Sequence, residues 1–281
     1  MNISIQEDIT KQIISNALNE DIAGMLDLTT DCLIPSDLIS TFELVVNEDA
    51  VLAGINVFKE TFSFLDSSVL VENNFNDGEK ISKNQVIAKI FGKTKNILKA
   101  ERTALNFICH LSGIATVTSD LVRLVNEIND KAILLDTRKT TPNMRHLERQ
   151  AVKAGGGSNH RFNLSEMILI KDNHIKSSGG IKTSVRKARE FYKNKYKIEV
   201  EVNDFKELEE ALLTPVDIIM FDNWKVSDLK MAIKLVPDHI KTEVSGNITP
   251  ENIKEYAGCG PDYISTGYMI KNAKWIDFSL N

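Results

Sequence analysis

The apolar positions of this chain change texture twice, and the changes divide it. Over residues 7–19, Ile9, Ile13, Ile14, Ala17 and Leu18 fall on one face of a 3.6-residue repeat, which predicts an opening amphipathic helix. From Phe42 to Ile90 the runs are short and β-rich, FELVVNEDAVLAGI and KISKNQVIAKIFG, with Asn76-Asp77-Gly78 supplying turn chemistry between them. A sheet with flanking helices is expected there. It closes with a helix that starts near Ile97 and carries AERTALNFICHLSG, and the Ser112-Gly113 pair is expected to end that helix at a domain boundary.

Beyond residue 112 six short apolar runs alternate with amphipathic stretches: AILLD (132–136), MILIKD (167–172), IEVEV (198–202), DIIMFDN (217–223), KTEVSG (241–246) and DYISTG (262–267). Continuous apolar strands separated by helices predict a parallel sheet covered by helices, either open and doubly wound or closed as a barrel. The run ends favour the barrel. Each carries polar or glycine residues at or near its C-terminal end: Asp136 with Arg138 and Lys139, Lys171, Glu201, Asp222, Ser245 with Gly246, and Thr266 with Gly267. Barrel enzymes assemble their sites from many such ends at one mouth. The sequence contains no GxGxxG and no GxxxxGK[ST], which removes the dinucleotide and P-loop readings.

Composition narrows the partners. Lys and Arg number 34 and Asp and Glu 39, a net charge of −5, so no global field draws the chain to nucleic acid or to an anionic membrane. The polar, acidic N-terminus lacks the features of a signal peptide, and the uncharged run Thr103–Ser119, which holds Asn106, His110 and Ser112, reads as a buried helix rather than a membrane span. Cys32, Cys109 and Cys259 form no CxxC pair and are expected to be packing residues in a reducing, cytoplasmic setting.

Chemistry is densest from Leu135 to Ile175, where Arg138, Lys139, Arg145, His160, Arg161 and Lys171 surround Gly155-Gly156-Gly157. Cations at successive strand ends make a local positive pocket in an acidic protein, suited to a substrate with several anionic groups. Arg145, Arg149 and Lys153, at helical spacing, read instead as a solvated helix face. His146 and His239 read as surface residues, His110 as a packed one, and His174 as a cap that orients the Lys171 loop.

TRKTTP (137–142), GGGSNHR (155–161) and LIKDNHI (169–175), in this order, resemble the signature of the quinolinate phosphoribosyltransferases, also called carboxylating nicotinate-nucleotide pyrophosphorylases. ALNEDIAGMLDLTT, AERTALNFICHLSGIAT, EVEV, FDN, SGNI and STG extend the resemblance over nearly the whole chain. It implies an α/β fold, an N-terminal α/β sandwich followed by an incomplete, seven-stranded α/β barrel. The corresponding division is a sandwich over residues 1–112, a barrel over 113–267, and a tail, 268–281, returning to the first domain. It implies the joining of quinolinate to phosphoribosyl pyrophosphate with release of pyrophosphate and carbon dioxide, in a homodimer or a higher assembly of dimers.

By the same resemblance, Arg138, Lys139, His160 and Arg161 line the quinolinate carboxylate site, and Arg102 reaches it from the partner subunit. Lys171 lies beside the reacting groups, and Lys139, Lys171, Glu201 and Asp222 form the catalytic set. Glu201 and Asp222 face the ribose hydroxyls and a Mg²⁺ ion, directly or through water. Ser245, Gly246, Asn247, Thr266 and Gly267 hold the 5-phosphate through backbone N–H groups. Three departures stand out. Asn247 replaces a common glycine, Asn143 replaces another after Pro142, and YMIKNAKW after Gly267 lacks the Leu-Thr-His-Ser pattern of the family, which leaves ligand contact from that turn open. Asn is the residue that best replaces Gly at positive φ, so phosphate binding is expected to survive the change at 247.

Overall fold

The computed structural model describes residues 3–281; Met1 and Asn2, the start of the polar N-terminus, lie outside the described residues. Along the chain run α1 (Ile3–Asp21), α2 (Leu28–Leu33), β1 (Ile39–Val46), β2 (Ala50–Val51), α3 (Ile55–Leu65), β3 (Leu70–Asn73), β4 (Lys80–Ile81), β5 (Val86–Lys93) and α4 (Thr94–Asn126). Next come β6 (Ile133–Leu135), α5 (Arg145–Ala154), β7 (Ile168–Ile170), α6 (Asp172–Ser178), α7 (Ile181–Tyr192), β8 (Ile198–Val202), α8 (Phe205–Leu212) and β9 (Ile218–Asp222). The chain closes with α9 (Val226–Ala232), β10 (Lys241–Ser245), α10 (Ile253–Ala257), β11 (Tyr263–Ser265), α11 (Tyr268–Lys271) and β12 (Phe278–Leu280). Two compact units result. One holds the residues up to Ser119 with Thr140–Gly156 and Met269–Asn281, the other Asp120–Lys139 with Gly157–Tyr268.

The first unit is built on an antiparallel sheet in the order β12-β1-β5-β3. The C-terminal strand β12 enters it by pairing Leu44 with Leu280 and Val46 with Phe278. Ile87, Ala88 and Ile90 of β5 join Phe58 and Phe62 of α3 and Ile97, Ala104, Leu105 and Ile108 of α4 in one apolar cluster. The uncharged run of α4 is therefore a core helix, as its pattern predicted. Its end is not where the sequence placed it, since α4 continues through Ser112-Gly113 to Asn126. A Cβ on Gly113 would lie 2.1 Å from the Lys274 carbonyl oxygen, so this glycine serves a close backbone approach rather than a helix stop. Ser112, fully buried, bonds both the N–H and the carbonyl of Ala53.

Two further readings are corrected in this unit. On α5, Arg149 and His146 are buried, not solvated, because the helix lays that face into the interior, where the His146 ring meets the Gln150 amide. Of the cysteines, Cys109 is buried but Cys32 is exposed and gives its thiol hydrogen to the Thr29 carbonyl.

The second unit carries six parallel strands in the order β6-β11-β10-β9-β8-β7, one for each apolar run. The seventh strand is reduced to a single parallel bridge, Leu135 to Ser158. Pairing stops there because Asn159 and His160 turn to the Asp136 carboxylate, the one through its amide at 2.7 Å and the other through its backbone N–H at 2.8 Å. Register stacks the strands into levels. Asp222 pairs with Ser245 and Ser245 with Ser265; two residues earlier, Glu201, Met220, Glu243 and Tyr263 align; earlier still, Leu169, Glu199 and Ile218. Period-two geometry puts all three levels on one side of the sheet, with Ile198, Val200 and Val202 on the other.

Candidate active site

A cavity of about 350 Å³ in the second unit is lined by Arg138, Lys139, His160, Arg161, Lys171, Glu201, Asp222 and Ser245, together with Thr137, Leu169, Met220 and Ser265. Eight positions singled out from the sequence thus converge on one space, and their common origin is the C-terminal ends of the parallel strands. That is where barrel chemistry is expected.

The cations are set by local structure. Arg138 and Lys139 follow β6 on an exposed turn that the Thr137 hydroxyl braces by accepting the Lys139 N–H at 3.1 Å. Arg161 is half-buried and donates to the Met167 carbonyl; burial, and next the nearby Arg138 guanidinium, push it below its usual range. Two like charges brought together in a partly buried space favour an anion between them. Lys171 is the N-cap of α6, where its backbone N–H donates to His174 Nδ1, 3.0 Å away. The orienting role read for His174 is realised. Beyond the cap, the Lys171 ammonium lies 2.5 Å from Glu201 Oε2, and the Glu201 side chain is 9% exposed.

The phosphate-type loop follows β10. Gly246 has φ 98° and Asn247 φ 51°, so both occupy the left-handed region, and a Cβ on Gly246 would meet Asn223 Oδ1 at 2.3 Å and the Asn223 backbone N at 2.8 Å. Only glycine fits at 246, whereas Asn247 takes positive φ as its sequence position predicted, and so does Asn143 at φ 66°. The Asn247 amide donates to Asn223 Oδ1 at 3.0 Å, clamping this loop to the turn after β9. Thr266 donates its hydroxyl to the Ile248 carbonyl, 2.8 Å away, and its backbone N–H to the Leu135 carbonyl at 3.1 Å, so it ties strand ends and loops together and, contrary to the sequence expectation, its N–H is already engaged within the protein. Gly267 sits 3.3 Å, measured from its virtual Cβ, from the Thr137 hydroxyl.

Among and below these groups are two buried acids that the sequence reading passed over. Glu199 and Glu243, both within 1% of complete burial, lie 3.1 and 3.5 Å from His160 Nε2. Burial and then the adjoining Glu243 push the Glu199 carboxyl up to about 7. The signal was present in IEVEV, where two glutamates at i and i+2 must share one face of the strand. Ser265 was missed as well: its buried hydroxyl lines the cavity without a hydrogen-bond partner among the described residues. Arg102 lies in the first unit, on the exposed side of α4, and next to burial it is the influence that acts on the Glu101 carboxyl.

The family model "Quinolinate phosphoribosyl transferase, N-terminal domain" matches residues 27–112, and the corresponding C-terminal domain model matches residues 114–281. The chain belongs to the quinolinate phosphoribosyltransferase family. It is 40% identical over 96% of its length to a probable carboxylating nicotinate-nucleotide pyrophosphorylase of Bacillus subtilis, of which the match covers 92%. A protein of the same description from Methanocaldococcus jannaschii is 38% identical, with 98% of each chain covered. The crystal structure of NadC from Streptococcus pyogenes superposes with a TM-score of 0.93 at 37% identity, covering 100% of this chain and 97% of that one. Against this quinolinate phosphoribosyltransferase frame the donor set near the rim suits a magnesium ion. Glu201 and Asp222 offer hard carboxylate oxygens from adjacent parallel strands, with no thiolate or imidazole beside them on those strand ends.

Proposed function

We propose that this chain joins quinolinate to phosphoribosyl pyrophosphate and decarboxylates the adduct to nicotinate mononucleotide, a step of NAD biosynthesis, in the cytoplasm. The observation that carries this reading is the pair of guanidiniums, Arg138 and Arg161, that line one cavity with Lys139 and Lys171, where burial and then the nearby Arg138 charge push Arg161 below its usual range. Four cations around about 350 Å³ suit a small dicarboxylate next to a pyrophosphate.

In the reaction, the pyridine nitrogen forms a bond to C1 of the sugar as the bond from C1 to the pyrophosphate oxygen breaks. Positive character grows on the sugar and negative charge on the leaving group. Lys139 and Lys171 stabilise that leaving charge from fixed positions, which is the kind of electrostatic help that lowers a barrier most. Arg138 and Arg161 grip the two carboxylates and hold the ring nitrogen in line. Glu201 and Asp222 would hold Mg²⁺, which would supply positive charge against the pyrophosphate. Once the ring nitrogen is cationic, the bond from C2 to its carboxylate breaks, carbon dioxide leaves, and the electron pair on C2 takes up a proton. The Ser245–Asn247 loop and Gly267 present backbone N–H groups to the 5-phosphate, while the Thr266 N–H stays on the Leu135 carbonyl.

The homodimer shares its sites in this reading, with Arg102 completing the carboxylate grip of the partner. Mixing Arg102→Ala with Lys139→Ala subunits under exchange conditions tests this, because a heterodimer collects both lesions in one site and leaves the other intact. Recovered activity supports sharing; demonstrated exchange without recovery refutes it. The function itself is tested by magnesium-dependent turnover with quinolinate and nicotinate side by side. Quinolinate alone should react, and equal turnover of nicotinate would remove the dicarboxylate assignment.

A further inference from the structure

We propose that Glu199 and Glu243 are positioning residues that anchor the His160 ring from beneath, and that the anchored ring fixes Arg161 for its grip on the substrate carboxylate. The proposal rests on the substrate reading above and adds to it a layer that makes no substrate contact.

Geometry leads to it. His160 Nδ1 accepts the Arg161 backbone N–H at 2.7 Å, while Nε2 faces Glu199 and Glu243. Its backbone N–H is held by Asp136. Each ring nitrogen thus has a task inside the protein, and the ring acts as a strut between the acidic level and the start of Arg161. Burial disfavours a charged ring and the two carboxylates favour one, with the balance raising it to about 10. The Nδ1 contact points the other way and is the more specific, because a proton on Nδ1 would be aimed at another N–H. The ring's proton therefore sits on Nε2, between the carboxylates.

This tautomer also leaves no ligand atom at Nε2 for a metal ion. The ligand atoms of His160, Glu199 and Glu243 lie within 4.8 Å of one another, a spacing an ion could bridge. A nitrogen that carries the proton has no lone pair to give to one.

Buried acids need a reason, since each costs several kcal/mol to desolvate and an apolar residue would fill the same place more cheaply. Room to move supplies that reason. His160 and Arg161 line not only the active-site cavity but a second one of about 500 Å³, which Glu243 and Tyr263 also line. An unanchored ring could swing into that space and take the Arg161 backbone with it. The carboxylates close this alternative.

The test uses the full-length enzyme with Glu199→Leu, Glu243→Leu and the matching Gln variants, each checked for an unchanged melting profile. Gln keeps an oxygen that can accept from Nε2, so the Gln variants should hold the quinolinate KM within about threefold. The Leu variants should raise it about tenfold or more, the scale of a weakened charge-assisted contact, with the phosphoribosyl pyrophosphate KM little changed. In ¹⁵N spectra of imidazole nitrogens the wild type should show His160 with a protonated Nε2 and an unprotonated Nδ1, and the Leu variants a changed signal. Leu variants with a wild-type quinolinate KM, or with both KM values raised alike, overturn the proposal. If the wild type fails to turn over quinolinate, the substrate reading falls separately. The ¹⁵N spectra then decide alone, and an unchanged His160 signal in both Leu variants overturns the positioning role.

Discussion

The two units bury opposite things. In the first, the interior is a continuous apolar cluster in which Phe58 and Phe62 meet edge to face at 5.1 Å, with Ile81, Ile87 and Ile90 beside them. In the second, the cavity side of the sheet buries Glu199, Glu201, Glu243 and Ser265 among Leu169, Ile218 and Met220, while Ile198, Val200 and Val202 lie on the other side. An apolar core gains stability from every methylene it hides. A polar interior gives some of that up and obtains oriented charge in return. Stability should therefore be concentrated in the first unit and rate in the second, and substitutions should separate the two.

The sharpest separation is expected from Phe62→Ala, which should destabilise the fold by about 3–5 kcal/mol. Thermal unfolding measures it, and the molecules still folded should keep their kcat. Lys171→Ala and Lys139→Ala should do the reverse, lowering kcat by about 10²–10³ through loss of preorganised charge, with the melting temperature nearly unchanged. A change confined to KM would show that these lysines bind ground state and transition state alike. Gly246→Ala forces a Cβ into the Asn223 side chain and backbone at φ 98°. Such a residue costs about 1–2 kcal/mol in the left-handed region, so the KM for phosphoribosyl pyrophosphate should rise about tenfold. Asn247→Gly, at a position where positive φ is already tolerated, should shift stability by no more than about 0.5 kcal/mol and leave that KM close to wild type. A large effect there would show that the Asn223 clamp, rather than backbone shape, holds the loop.

Much of this contrast was legible in the sequence. The six apolar runs became six strands, and the polar residues at their ends met at one cavity, because a parallel sheet sends every strand out on the same side. Asn247, standing where the family commonly has glycine, pointed to the positive φ it adopts. What stayed hidden depended on contacts distant in sequence. Gly113 looks like a helix stop, but its reason is the backbone of Lys274, some 160 positions away in numbering, and no local pattern reports that. Arg149 and His146 have the spacing of a solvated face and are buried by packing that their own helix does not encode. The reduced seventh strand follows from Asp136 capturing Asn159 and His160, a side-chain choice that propensity does not contain. Glu199 and Glu243 are the instructive case. Their alternation was readable, but charged residues in a strand suggest a solvated face until the partner, His160, is seen.

On the proposed mechanism, the cationic rim of the second unit drives N-ribosylation coupled to decarboxylation. Quinolinate labelled with ¹⁴C in its 2-carboxylate, incubated with phosphoribosyl pyrophosphate and magnesium, measures that directly. Labelled carbon dioxide and pyrophosphate should appear in a one-to-one ratio, with both lost in Lys171→Ala. Pyrophosphate released without labelled carbon dioxide, or label retained in the nucleotide product, would contradict it.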